Sequence, residues 1–229
     1  MMPLDVAIQL AKRHLDASLH ELEKEADGAR YNTSCIRALA SAAAVLGLYD
    51  IAERALSLLR KAPDGSFFAG MITNFELPKT VPERLRTVDA LETLEEQHPH
   101  YREQEIVGRI RSNAATEEHF ALCIEGRFQE ARSKADSGVR LEEVGATLAV
   151  LGEFDAALSV ARDPLLESFR QRGVLLVLVI EFFRRDRIEN SEAILAELES
   201  PGLGAWERIH LALGFAGREP WGGYPYPDW

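Results

Sequence analysis

The chain has 229 residues, 46% of them apolar, 28% charged and 8% aromatic, with a formal net charge of −11. Those values suit a soluble globular domain or one repeat array. They exclude a general nucleic-acid surface, which needs Lys and Arg in excess, and disfavour an anionic membrane. Two cysteines, Cys35 and Cys123, are too few for a disulfide framework and sit on apolar helix faces, as small buried side chains do.

In chain order, Met1-Met2-Pro3-Leu4-Asp5 has neither a basic segment nor an apolar core, so no signal peptide is expected. Leu4, Ile8, Ala11, Leu15, Leu19, Leu22 and Ala26 step by three and four, which predicts an amphipathic helix over 4–27 that Asp27-Gly28 stops. Asn32-Thr33-Ser34 offers a cap for a helix Cys35–Leu46, and Tyr49–Lys61 completes a first hairpin over 33–62. Pro63 to Val81 breaks the rhythm with turn residues around Phe67, Phe68, Met71, Ile72 and Phe75, and is read as an irregular insert packed on the array like a plug.

Helices are expected again at Pro82–Gln97 and from Tyr101 to Arg111, joined by His98-Pro99-His100. The stretch from Phe120 to Leu198 follows, then Pro201-Gly202-Leu203-Gly204 and a last helix, Ala205–Phe215. Asp163-Pro164 is expected to cap and begin a long helix, with Asn190–Glu199 as its partner. The apolar run Gly173–Ile180, continuing to Phe183, falls short of the roughly 20 residues a membrane span needs and is read as a helix buried on nearly all sides.

One hexapeptide recurs. Gly47-Leu48-Tyr49-Asp50-Ile51-Ala52, Gly126-Arg127-Phe128-Gln129-Glu130-Ala131 and Gly152-Glu153-Phe154-Asp155-Ala156-Ala157 share a pattern, and Asp186-Arg187-Ile188-Glu189-Asn190-Ser191 is a decayed copy. Gly tolerates positive φ where a first helix ends, the large side chain two residues on packs between helices, and the small residue three further on lets the second helix approach the first. The copies stand 79, 26 and 34 residues apart.

At these residues the chain resembles a degenerate tetratricopeptide repeat, which points to the superfamily of helical-hairpin repeats rather than to one member family. Leu141-x-x-Val144-Gly145-x-x-Leu148 is similar to that family's first helix, and Gly152-Glu153-Phe154-Asp155-x-Ala157 to its turn and second helix. Ile36, Leu39, Ala40, Gly47, Tyr49 and Ala52 follow the same spacing, as do Leu175, Leu178, Phe182, Ile188 and Ser191. Pro63 and Pro201 stand roughly where a repeat ends; the interval of 26 and the segment 63–81 depart from the period. The resemblance implies an all-α superhelix of stacked hairpins; the array is read as a single domain over 1–216, and its residues make 217–229 a Pro/Gly/aromatic tail.

In the resembled family the first helices line a groove that takes peptides. Carried over, that groove includes Phe120, Cys123, Ile124, Ala146, Ala149, Val150, Leu176, Ile180 and Phe183. Either a partner or another part of the chain covers such a face, or tight closure buries it as ordinary core. An arginine cluster, Arg170, Arg172, Arg184, Arg185 and Arg187, either docks an acidic partner or balances helix ends. In the tail, Trp221, Tyr224, Tyr226 and Trp229 alternate with Pro and Gly, which predicts an extended strap folded back on the array.

No phosphate loop, nucleophile elbow, His-Glu-x-x-His helix or paired Cys-x-x-Cys occurs. The expected function is a non-enzymatic, cytoplasmic adaptor or scaffold with a protein or peptide partner, no cofactor, no nucleic acid and no membrane. Two alternatives remain. One is a metal-dependent enzyme or metal-binding protein using His98, His100 and Glu103, with His119 as a further ligand; the other is a structural subunit of a complex.

Overall fold

The computed structural model describes residues 4–27, 32–62, 117–200 and 202–216. The expected insert over 63–81, the helices between 82 and 111, the ligands His98, His100 and Glu103, and the tail with Trp221, Tyr224, Tyr226 and Trp229 lie outside the described residues. Those described form ten α-helices and no strand: α1 Leu4–Asp27, α2 Thr33–Val45, α3 Tyr49–Lys61, α4 Glu118–Ile124, α5 Phe128–Lys134, α6 Gly138–Leu151, α7 Phe154–Ala161, α8 Ser168–Arg184, α9 Ile188–Glu199 and α10 Ala205–Phe215. The all-α expectation holds. No helix among the described residues is long and apolar enough to cross a membrane.

Four hairpins, α2/α3, α4/α5, α6/α7 and α8/α9, turn in the same way. Gly47, Gly126, Gly152 and Asp186 each hold a left-handed φ, at 69°, 76°, 87° and 57°. The amide that follows each donates back across the turn: Leu48 to Ala43 O at 2.8 Å, and Arg127 to Leu122 O, Glu153 to Leu148 O and Arg187 to Phe182 O, each at 2.9 Å. This is the 6→1 bond that closes a helix whose next residue is left-handed. The fourth residue of each second helix is small and buried: Ala52, Ala131, Ala157 or Ser191. Ser191 fits because its hydroxyl donates to the Val179 carbonyl at 2.8 Å, so the hydroxyl is not stranded in the interior.

The described residues cluster into two compact units. One compact unit takes the described residues between 99 and 202; the other takes those between 2 and 98 together with 203–216. In the second unit, α1, α2, α3 and α10 pack together. Ala11, Leu15, Leu19 and Leu22 form the buried stripe of α1, and Ala40, Ala43 and Ala44 keep α2 slim enough for its neighbours to close on it. Ile209, Ala212 and Leu213 of α10 join the same core, and Ser18 donates to the Ala205 carbonyl at 3.1 Å. The Asn32 side chain caps α2 by accepting from the Cys35 amide at 3.1 Å.

In the first unit α6 lies between α4 and α8, and α8 also meets α7 and α9. Gly145 is the closest approach: a Cβ there would stand 2.9 Å from the Val174 methyls and 3.0 Å from a Val160 methyl. Gly173 to Phe183 is buried without a break, as its apolar run requires. Two boundaries differ from expectation. The partner helix starts at Ile188 rather than Asn190. Asp163-Pro164 does not begin α8, which starts at Ser168. The Asp163 carboxylate instead accepts from the Leu165 amide at 2.9 Å and pairs with Arg132, while its carbonyl accepts from Leu166, so the segment is spent on a separate turn.

Phe154 sits where the α6/α7 turn meets the end of α8. It is 6% exposed and tilts against Phe182 with ring centroids 4.2 Å apart; the Arg185 and Arg187 guanidinium carbons lie 5.6 and 5.1 Å from its centroid. Phe154→Ala is expected to lose about 3–5 kcal/mol in urea unfolding. A loss under about 1 kcal/mol would mean that the ring contributes no buried surface.

Two core histidines of the other unit give it a pH dependence. Burial, with Arg208 and then Arg13 adding to it, pushes His14 down to about 4; burial alone pushes His210 down to about 3. The folded state therefore binds fewer protons than the unfolded chain once pH falls below the ordinary histidine value near 6.5. Their contribution is fully present above about 6.5 and is lost as pH falls towards the folded values. Urea midpoints are expected to drop between pH 7 and pH 5, and the drop should shrink in a His14→Leu, His210→Leu variant. An equal slope in both proteins would refute the assignment.

Candidate interaction surface

The residues expected to line an open groove are mostly interior. Phe120, Cys123, Ala146, Ala149, Val150, Leu176, Ile180 and Phe183 are all buried within the chain itself. Ile124, on the last turn of α4, stays 42% exposed. Close packing around α6 and α8 is the cause: Gly145 and the alanines of α6 let neighbouring helices approach until this face is covered. The closed alternative, with this face as ordinary core, describes the structure.

The arginines hold the first unit together. Arg170 gives Glu142 a 2.6 Å bond from α8 to α6 and reaches Glu167 at 3.0 Å. Burial pushes the Glu142 carboxyl above its usual range, and the Arg170 guanidinium opposes that shift. Arg172 donates to the Leu198 carbonyl at 3.2 Å and the Gly202 carbonyl at 2.9 Å, which fixes the end of α9. Arg184 reaches Glu181 on its own helix at 3.5 Å. Arg185 donates to the Val150 carbonyl at 2.6 Å, and its Nη1 lies 2.9 Å from where a Gly152 Cβ would stand. Gly152 thus serves twice, through its positive φ and through the space it leaves for this side chain. Arg187 spends its charge on the Phe154 face.

Large apolar side chains do remain at the surface of this unit, at positions the periodicity did not single out. Val139 is 46% exposed at the start of α6; Leu165 and Phe169, 78% and 55% exposed, flank the start of α8. These first turns lie side by side, since a Cβ on Gly138 would come 3.3 Å from the Arg170 Cδ. Arg170 also lies 4.8 Å from the Phe169 centroid, so the exposed ring is bordered by a guanidinium that pairs with Glu142 and Glu167. The sequence signal was present in Leu165 and Phe169, four residues apart beside a helix start, but nothing in it separates an exposed pair from a buried one.

Both cysteines are buried, and burial, with Glu21 and Glu25 adding at Cys35, pushes both thiols up to about 12, away from the thiolate form. His119 does not point to solvent. It is buried, with its Nε2 3.1 Å from Oε2 of Glu143, a residue that sequence spacing does not connect to it. Comparison with known proteins finds no matching family model, no curated relative and no similar solved structure.

The arginine geometry fixes what charge removal does. Arg185→Ala strands the Val150 carbonyl and uncovers Phe154, and is expected to cost about 1.5–3 kcal/mol. Arg187→Ala loses one ring contact and should cost about 0.5–1 kcal/mol. Thermal and urea unfolding of the two variants check the order. Equal, negligible losses would mean that the side chains are free surface charges.

Proposed function

We propose that this chain is a non-enzymatic protein–protein interaction module, a cytoplasmic adaptor or scaffold built as a tetratricopeptide-like array of helical hairpins. The observation that supports the reading is the turn repeated four times, with one left-handed residue, one 6→1 bond and one small entry residue at each copy. Repetition of one short unit presents many side chains on a rigid frame, and extended binding surfaces are the common use of such frames. The first-helix face is buried, and the exposed apolar side chains Val139, Leu165 and Phe169, with Ile124 in the same unit, support a partner contact there instead. The occupant is a protein or peptide, since separate apolar side chains ringed by charge suit a polypeptide with apolar anchors and a polar rim.

A photo-cross-linking residue at position 169 of the full chain, in native extract, tests this. One protein species is expected to cross-link there and not from position 53 on α3. Leu165→Asp should abolish that cross-link at unchanged melting temperature, because Leu165 buries little within the chain. Indiscriminate cross-linking from both positions, or none from 169, would overturn the reading.

A further inference from the structure

At the start of α4 and within the first half of α6, three side chains of metal-ligating chemistry converge. His119 is 3% exposed, and its ring lies against Phe120 with centroids 4.3 Å apart, which restrains the imidazole plane. Its Nε2 is 3.1 Å from Oε2 of Glu143, and its Nδ1 is 3.7 Å from Oε2 of Glu117. One ligand atom from each of the three lies within 4.8 Å of the other two. Glu143 belongs to a packed helix and is only 15% exposed at its side chain, whereas Glu117 precedes α4 on extended backbone and is 43% exposed. Arg140 stands 4.0 Å from Glu117 and gives its closer bond, at 3.0 Å, to Asp136.

We propose that Glu117, His119 and Glu143 form a site for one divalent transition-metal ion of the zinc class. Zinc bonds to imidazole nitrogen and carboxylate oxygen are about 2.0–2.2 Å long, which sets tetrahedral ligand atoms about 3.3–3.6 Å apart. The Nε2–Glu143 spacing, 3.1 Å, stands just short of that range, whereas Glu117 faces the other ring nitrogen, so an ion on Nε2 takes Glu143 as its neighbour and draws Glu117 round to it. Closing the site requires the exposed Glu117 side chain to swing from the Nδ1 side towards the ion; one ligand atom from each residue already stands within 4.8 Å of the others, and the imidazole and Glu143 are carried on helices. The mixed nitrogen and oxygen donors favour zinc or a similar ion over calcium or magnesium, which take oxygen ligands. Two carboxylates around one imidazole supply the negative charge that a dication offsets. Three protein ligands leave a fourth position for water, the layout of an open site rather than of a closed structural one. This inference is independent of the interaction reading, and it uses neither His98 nor His100.

The test uses the full chain, freed of metal by chelation and dialysis, and titrated with cobalt(II) as a spectroscopic probe and zinc as competitor. One equivalent of cobalt is expected to bind with the intense visible bands of a four-coordinate ion, to be displaced by zinc, and to raise the melting temperature. Glu143→Gln and Glu117→Gln should each weaken binding by about 100-fold or more while leaving the metal-free melting temperature close to that of the parent. Glu117 is exposed enough that its variant folds even if changes at the buried positions do not. No saturable binding at millimolar metal would overturn the proposal and leave the cluster as a histidine held between two carboxylates. Binding unchanged in Glu117→Gln would overturn it equally, by placing the ion elsewhere.

Discussion

The left-handed residue at the end of each first helix is the constraint on which the hairpins depend. A helix that ends without one leaves carbonyls unpaired and lets the chain run on in an arbitrary direction. With φ near 57–87° at Gly47, Gly126, Gly152 and Asp186, the next amide bonds back over the turn and the chain reverses at once. Asp186 shows how strongly the geometry is imposed. A side chain in that conformation is strained by about 1 kcal/mol or more, with Asp among the residues that tolerate it best. The packing of α8 on α9 and the Ser191 bond to Val179 hold it there.

The two units solve the burial problem by different chemistry. Where α1, α2, α3 and α10 meet, the core is aliphatic, with alanine supplying close approach and two neutral histidines placed inside. In the other unit arginines cross between elements: Arg170 to Glu142, Arg132 to Asp163, Arg172 to the end of α9 and Arg185 to Val150. Such bonds add little net stability over an apolar replacement. Their loss is costly, because a buried carboxylate or carbonyl is then left without a partner. They also have direction, so they fix how one hairpin registers on the next.

Local features were the legible part of the sequence. The α1 stripe, the Asn32 cap, the hairpin over 33–62 and all four turns could be placed because each depends on residues within six or so positions of one another. Asp163-Pro164 misled because its local chemistry fits a helix cap and an Asx turn equally, and the long-range pairing with Arg132 decides between them. The face of α6 and α8 was identified as apolar, yet periodicity reports only that a face is apolar and not whether it meets water or protein. Glu143 and His119 lie 24 positions apart on different helices. No spacing rule joins them, so this cluster emerges only when α4 packs on α6.

The position of α10 has a consequence for how the chain is made. Its partners α1 and α2 leave the ribosome long before it does, with all of the first unit synthesised in between. The first unit has its own core and can settle as soon as it emerges, while the aliphatic stripe that α1 turns towards α10 stays without its cover until residues 205–215 are out. Nascent chains halted before that point leave this helix face uncovered, the kind of exposed apolar surface that invites association during folding.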